Sequence, residues 1–313
     1  FKQKTAYEIS LGLVGSEMCI RDRHGLIRFA LNFEKMAIID LLSAAPTFFI
    51  TVCVILGLII GSFLNVVVYR LPIMIQRDWT QQCCDYLEIE NTAPDTTDLI
   101  AEYEVFNLWK PESYCLKCNQ KIKIWENVPI LSYICLGGKC SKCKKPISPR
   151  YPLVEFANGL LSGLVGYTFG ATWLTLAALI LVWSLVVLAL IDFDHQLLPD
   201  DITIPLLWLG LLVNTRDLGF GVSLTEAVIG AIGGYLGLWV FYWIFKLATG
   251  KEGMGYGDFK LLAALGAWMG WQSLFLIVIL SSVTCAILGL TTVSYTHLRA
   301  TRPRLISYAV FCL

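Results

Sequence analysis

The chain has 313 residues, of which 56% are hydrophobic and 15% charged, with 24 basic and 24 acidic side chains. Soluble domains carry roughly a quarter charged residues, so an ordinary water-soluble globule is excluded. A net charge of zero excludes bulk electrostatic binding to nucleic acid.

Residues 1–35, containing "KQKTAYEISLGLVGSEMCIRDR", show no helical or strand periodicity. They lack a basic region followed by an apolar core, so they make a poor signal peptide. They resemble translated adapter read-through, which makes Met36 the expected authentic start. Runs free of Asp, Glu, Lys and Arg then cover 41–69, 156–191, 202–215, 227–245 and 261–298. A spanning helix needs about 20 apolar residues. The two longest runs therefore divide, at Gly170 and near Gly270-Trp271-Gln272. The pattern predicts seven spans, near 45–69, 152–169, 171–191, 201–215, 225–247, 258–270 and 273–293. Too many runs reach membrane length for these to be buried helices of a soluble protein. The expected fold is an all-α polytopic membrane protein. Its expected divisions are 36–70 for the first span, 71–150 for a water-exposed insert and 151–292 for a membrane domain. Residues 293–313, containing "SYTHLRATRPRLISYAVFCL", again resemble read-through in place of the true C-terminus.

The insert holds Cys115-Leu-Lys-Cys118 and Cys140-Ser-Lys-Cys143, separated by 21 residues. Two C-x2-C knuckles supply four thiolates for a tetrahedral Zn2+, and four sulfurs leave no open position, so the predicted site is structural. Arg70 and Arg77 flank the first span, and Lys139, Lys142, Lys144, Lys145 and Arg150 crowd the insert's end. Lys and Arg near membrane ends favour the cytoplasmic side, where disulfides are disfavoured. The insert is expected there.

The third span ends in "LALIDFDHQLLPDD", and the fifth is followed by "GMGYGDFK". Ionisable groups at a span are costly and mark functional sites. Span parity puts Asp192 and Asp258 at the same, cytoplasmic, face. Asp194 is the rival of Asp192, and Asp200 and Asp201 suit the cap of the next helix. Asp258 also suits a helix cap, but a cap does not account for Gly253, Gly255 and Gly257, which permit close backbone approach. A dinucleotide fingerprint needs a preceding strand, and a membrane helix precedes this one. Two adjacent carboxylates share one proton, so one serves as base toward water and the other as acid toward a carbonyl.

Across about 36–292 the chain resembles bacterial type IV prepilin peptidases, membrane aspartyl proteases of the GxGD type. The resemblance is carried by "GSFLNVVVYRLP", the paired knuckles, "WENVPILSY", "SPRYPLVE", "IDFDHQLLPDDIT" and "GMGYGDFKLLAALGAW". The family's first catalytic Asp lies seven residues before the Pro of its L-P-D motif, which is Asp192 here, and the second is the Asp of GxGD, Asp258. The resemblance implies removal of the basic leader of prepilins and prepseudopilins at the inner membrane. It implies as well N-methylation of the new N-terminal residue with S-adenosylmethionine. The insert is implicated in that second step, though spacing alone reveals no methyl-donor pocket. Glu126 and Gly137 are the candidates between the knuckles, and Glu126 reads more simply as a solvated acid. The resemblance implies a further, eighth helix, which is expected to be missing here because the read-through-like tail replaces the true C-terminus. Two other classes remain in view: a transporter with carboxylate relays, which would show internal repeats, and a zinc-bearing scaffold without chemistry.

Overall fold

The computed structural model describes residues 42, 45–87, 106–115, 117–215, 219–251 and 253–297. The expected read-through segment 1–35 lies outside these residues, as does 293–313 from residue 298 onward. Seven long helices carry the described chain: α1 (Pro46–Leu87), α3 (Arg150–Phe169), α4 (Trp173–His195), α5 (Asp200–Asn214), α6 (Leu224–Thr249), α7 (Tyr256–Met269) and α8 (Trp271–His297). A short α2 (Leu131–Cys135) and a 3-10 turn (Ile124–Asn127) lie in the insert. By length and composition α1, α4 and α6 can each cross a membrane. The bends expected in the long apolar runs are both present. Gly170 ends α3 at φ 61° and Gly270 ends α7 at φ 77°, backbone angles that a glycine adopts without penalty.

One boundary differs from expectation. α1 does not stop at residue 69 but continues through Leu87. Residues 70–87 contain no glycine and a single proline, so nothing there breaks the helix. Charge marks where an apolar run ends, not where a helix must. Pro72 lacks an N–H and leaves a carbonyl one turn back without its helical partner. It is nevertheless fully buried against neighbouring helices, a setting in which such a break is tolerated.

Two groups of helices pack separately. α1 lies along α3 and α4, while α7 lies along α5 and α6, with α8 against α6 and α7. Lipid tails are as apolar as Leu, so close van der Waals packing through small residues holds such bundles. Gly57 of α1 faces Ser162 and the Asn158 carbonyl of α3. Gly230 of α6 and Gly266 of α7 meet backbone to backbone. A methyl group at either would strike the other helix's carbonyl. α4 joins the two groups. Its Val187 and Ile191 pack with Leu64, Val67, Val68 and Leu71 of α1. Ala177, Leu181 and Leu188 pack with Leu206 of α5 and Ala264 and Trp268 of α7. Trp268 donates its indole N–H to the Leu206 carbonyl at 2.8 Å, so this large ring is buried without leaving a polar atom unpaired.

Candidate functional site

Asp192 sits in the last turn of α4, where the Gln196 amide closes the helix on the Asp192 carbonyl at 2.8 Å. Gln196 takes the left-handed conformation, φ 53°, and the chain turns at once into buried Pro199 and α5. Asp258 sits in the first turn of α7. It is not the cap that the sequence suggests. Gly255 holds that position, and the Asp258 amide donates to the Gly255 carbonyl at 3.3 Å. Asp192 is exposed, Asp258 is half-buried, and the two lie within electrostatic reach of each other.

Two of the neighbouring acids are otherwise engaged. Asp194 receives a two-pronged ion pair from Arg150, Nη1 to Oδ1 at 2.8 Å and Nη2 to Oδ2 at 2.6 Å. Arg150 opens α3, so this fork ties the exit of the insert to the end of α4. Asp200 accepts from Lys260 Nζ at 2.8 and 2.6 Å, which locks α5 to the first turn of α7. Asp200 and Asp201 occupy the first turn of α5, but neither is its cap. That place belongs to Pro199.

The three glycines before Asp258 do different things. A Cβ at Gly253 would sit 2.6 Å from the Phe245 ring, and one at Gly257 would sit 2.7 Å from Leu198 Cβ. Gly257 thus lets α7 press against the turn that follows Asp192. At Gly255 the nearest atom is Asp258 Oδ2, 3.9 Å away, so that glycine keeps the space beside the carboxylate clear.

The insert folds around its cysteines as two copies of one turn. Tyr114 bridges Lys121 around the first knuckle, and Lys139 bridges Pro146 around the second. Cys115 N–H donates to Gln120 O and Cys140 N–H to Lys145 O, at 2.9 and 3.0 Å. Asn119 and Lys144, each one residue past its second cysteine, have φ 53° and 57°. The four Sγ atoms lie within 4.8 Å of one another, and Cys115 and Cys143 are 3.9 Å apart. A zinc tetrahedron with Zn–S of about 2.3 Å has edges of about 3.8 Å, so the donor set fits that ion. Backbone N–H groups of Cys143 and Lys142 point at Cys140 and bring its thiol down to about 6. The Gln120 N–H pulls Cys118 the same way, but desolvation and the neighbouring thiols outweigh it, and Cys118 is pushed up to about 11. Four thiolates this close need a cation before all can ionise.

Arg70, only 6% exposed, shows why the segment before the first knuckle docks on α1. Its guanidinium donates to the carbonyls of Asn107, Leu108 and Pro111, the last at 2.7 Å. The sequence flagged Arg70 only as a membrane-edge charge. Nothing in its spacing announces the three acceptors.

Known proteins give the arrangement a lineage. The Bacterial Peptidase A24 N-terminal domain matches residues 55–169, and the Type IV leader peptidase family matches residues 179–290. The chain belongs to the type IV leader peptidase family. Proteins named prepilin leader peptidase/N-methyltransferase from Stutzerimonas stutzeri and Pseudomonas aeruginosa are each 52% identical over 254 residues, covering 81% of this chain and 84% of theirs. One from Neisseria gonorrhoeae is 49% identical over 242 residues, 77% of this chain and 82% of its own. No solved structure matches. The family's matched regions take in both knuckles and both carboxylates, and the transporter reading finds no support in these relatives.

Proposed function

We propose that this chain is a membrane aspartyl endopeptidase that removes the leader of prepilins and prepseudopilins, with Asp192 and Asp258 as its catalytic pair, and then N-methylates the exposed residue. One observation supports the peptidase assignment: of the acids at this end of the bundle, Asp194 and Asp200 are neutralised by Arg150 and Lys260, while Asp192 and Asp258 lie within electrostatic reach of each other. Two facing carboxylates hold one proton between them. The ionised member takes a proton from water as its oxygen attacks the scissile carbonyl. The protonated member donates to the carbonyl oxygen. Collapse of the tetrahedral adduct breaks the C–N bond, and the leaving amine recovers a proton from the pair.

The site faces the cytoplasm of a bacterial inner membrane in this reading, because basic residues cluster on the insert at the same end. The substrate then presents a charged leader in water and an apolar helix in the bilayer, with the scissile bond between them. A glycine just before the cut passes an extended backbone without a side-chain clash, and Gly255 leaves matching room on the enzyme. Cys115, Cys118, Cys140 and Cys143 would hold one structural zinc. For the second step, S-adenosylmethionine, when bound, would supply the methyl group that the freed N-terminal amine takes up. The test is a paired assay in membranes. A single-span substrate with Gly before Phe is cut once, after Gly, and Gly→Val in the substrate suppresses cleavage at least about tenfold, more than loss of one leader Lys. Equal processing of both substrates would remove the close-approach account.

A further inference from the structure

We propose that the insert lies against the bilayer, with Trp109, Trp125, Leu131 and Ile134 set into the lipid interface beside α1 and α3. All four side chains are exposed, Trp109 by 78% and Trp125 by 74%. A small domain surrounded by water rarely leaves so many large apolar groups bare. The sequence reads 71–150 as water-exposed. Its eight lysines between 106 and 149 are exposed and suit that reading, but these four side chains call for a different solvent. The contacts that hold the insert place them at the depth where that solvent is lipid.

α1 and α3 run antiparallel. A Cβ at Gly57 would strike Ser162, one at Gly61 would sit 3.0 Å from Glu155 Cα, and Asn65 Nδ2 donates to the Tyr151 carbonyl at 3.2 Å. Arg150 and its ion pair with Asp194 therefore stand level with α1 just past residue 65. The insert reaches beyond that level, toward the middle of α1. The Trp109 ring lies 5.9 Å from the Phe63 ring, seven residues before Arg70 and so about 10 Å along the helix. Asn127 and Pro129 share one recess with Ile59, Phe63 and Trp109, and the Ile130 amide donates to Glu155 in the second turn of α3. Trp125 and Leu131 flank this anchored stretch. Leu131 and Ile134, three apart on α2, share one face. The α1 side of these contacts falls in the charge-free run 41–69, within a helix long and apolar enough to cross a membrane.

Lipid is the occupant that this arrangement selects. The bare face continues the exposed surface of Ile59 and Phe63 on α1. Tryptophan favours the headgroup level, where its ring is apolar and its N–H wet. Lys110 and Lys123 adjoin the two tryptophans in sequence, and such stems lie along apolar surface while the ammonium stays at the headgroups. Between residues 106 and 149 eight lysines stand against two glutamates, a balance that matches an anionic leaflet. A second copy of the chain would bring the same positive charge to the face and be repelled.

The experiment is photolabelling of the unmodified full chain in vesicles of phosphatidylcholine and phosphatidylglycerol. The probe is a lipid carrying a diazirine near the headgroup end of one acyl chain, and mass spectrometry after proteolysis reads the label on each residue. Phe156, exposed on α3 one turn past Pro152, is the lipid-facing standard. Tyr86 and Leu87 are the water-facing standard, since both are exposed at the far end of α1, about 25 Å beyond Arg70. Trp109, Trp125, Leu131 and Ile134 should take label within about threefold of Phe156 and at least about tenfold above Tyr86 and Leu87. Labelling of all four at the level of Tyr86 overturns the proposal, whether water, a second copy or another protein meets the face, and leaves the peptidase reading untouched. Labelling of Tyr86 and Leu87 as strong as that of the four overturns it too, because exposure rather than depth would then set the contact with lipid.

Discussion

At the scale of single residues, the insert depends on backbone angles that its side chains disfavour. Lys144 stands at φ 57°, where its amide donates to the Cys140 carbonyl at 3.1 Å and closes the second knuckle. An L-residue in this region costs roughly 1–2 kcal/mol, and a β-branched one is a greater strain. Lys144→Gly should therefore hold zinc at least as well as the parent chain, and Lys144→Val should lose at least about tenfold in zinc affinity. Competition with a chromogenic chelator reads both, and a Val variant equal to the parent would mean that the turn is not formed as described. The knuckles themselves are legible in the sequence because their chemistry is local: two cysteines three positions apart can reach one ion. The Arg150–Asp194 fork is not legible. Its partners are 44 positions apart, and no periodicity connects them. The fork is also what separates Asp192 from its rival, a distinction that the run of acids in "IDFDHQLLPDD" leaves open.

At the scale of helices, charge-free runs locate the spans because burying an ionised group in lipid is costly. They also locate the breaks, since glycine alone relaxes at the positive φ of residues 170 and 270. They locate helix ends poorly. α1 carries on past its apolar run, and α7 begins two residues before Asp258 because the cap is a glycine rather than an acid. A close backbone-to-backbone contact joins α6 to α7 through Gly230 and Gly266, and α7 carries Asp258. Gly230→Val should push α7 out of place and lower cleavage by at least about tenfold. Zinc content should stay unchanged, because the insert is anchored on α1 and α3 instead. Assay of both properties on one preparation separates a local displacement from general unfolding. Full cleavage by this variant would show that the α6–α7 contact does not position Asp258.

At the scale of the whole molecule, the two carboxylates come from different helix groups and lie within electrostatic reach of each other. The α1, α3 and α4 side supplies Asp192, together with the zinc-fitted insert. The α5 to α8 side supplies Asp258. Span parity predicts their common face from the sequence. Their approach depends on tertiary contacts, Gly257 against Leu198 and Lys260 with Asp200, that no local pattern encodes. The central claim is that this pair, and no other acid nearby, performs cleavage. Its most direct test is the rate of prepilin cleavage by membranes carrying Asp192→Asn, Asp258→Asn or Asp194→Asn at matched expression. Loss of a general acid–base partner costs about 10²–10⁴-fold. Each of the first two variants should fall by that much, while Asp194→Asn, which loses only its ion pair with Arg150, retains cleavage within about tenfold of the parent. Cleavage that survives in Asp192→Asn and collapses in Asp194→Asn would contradict the pairing.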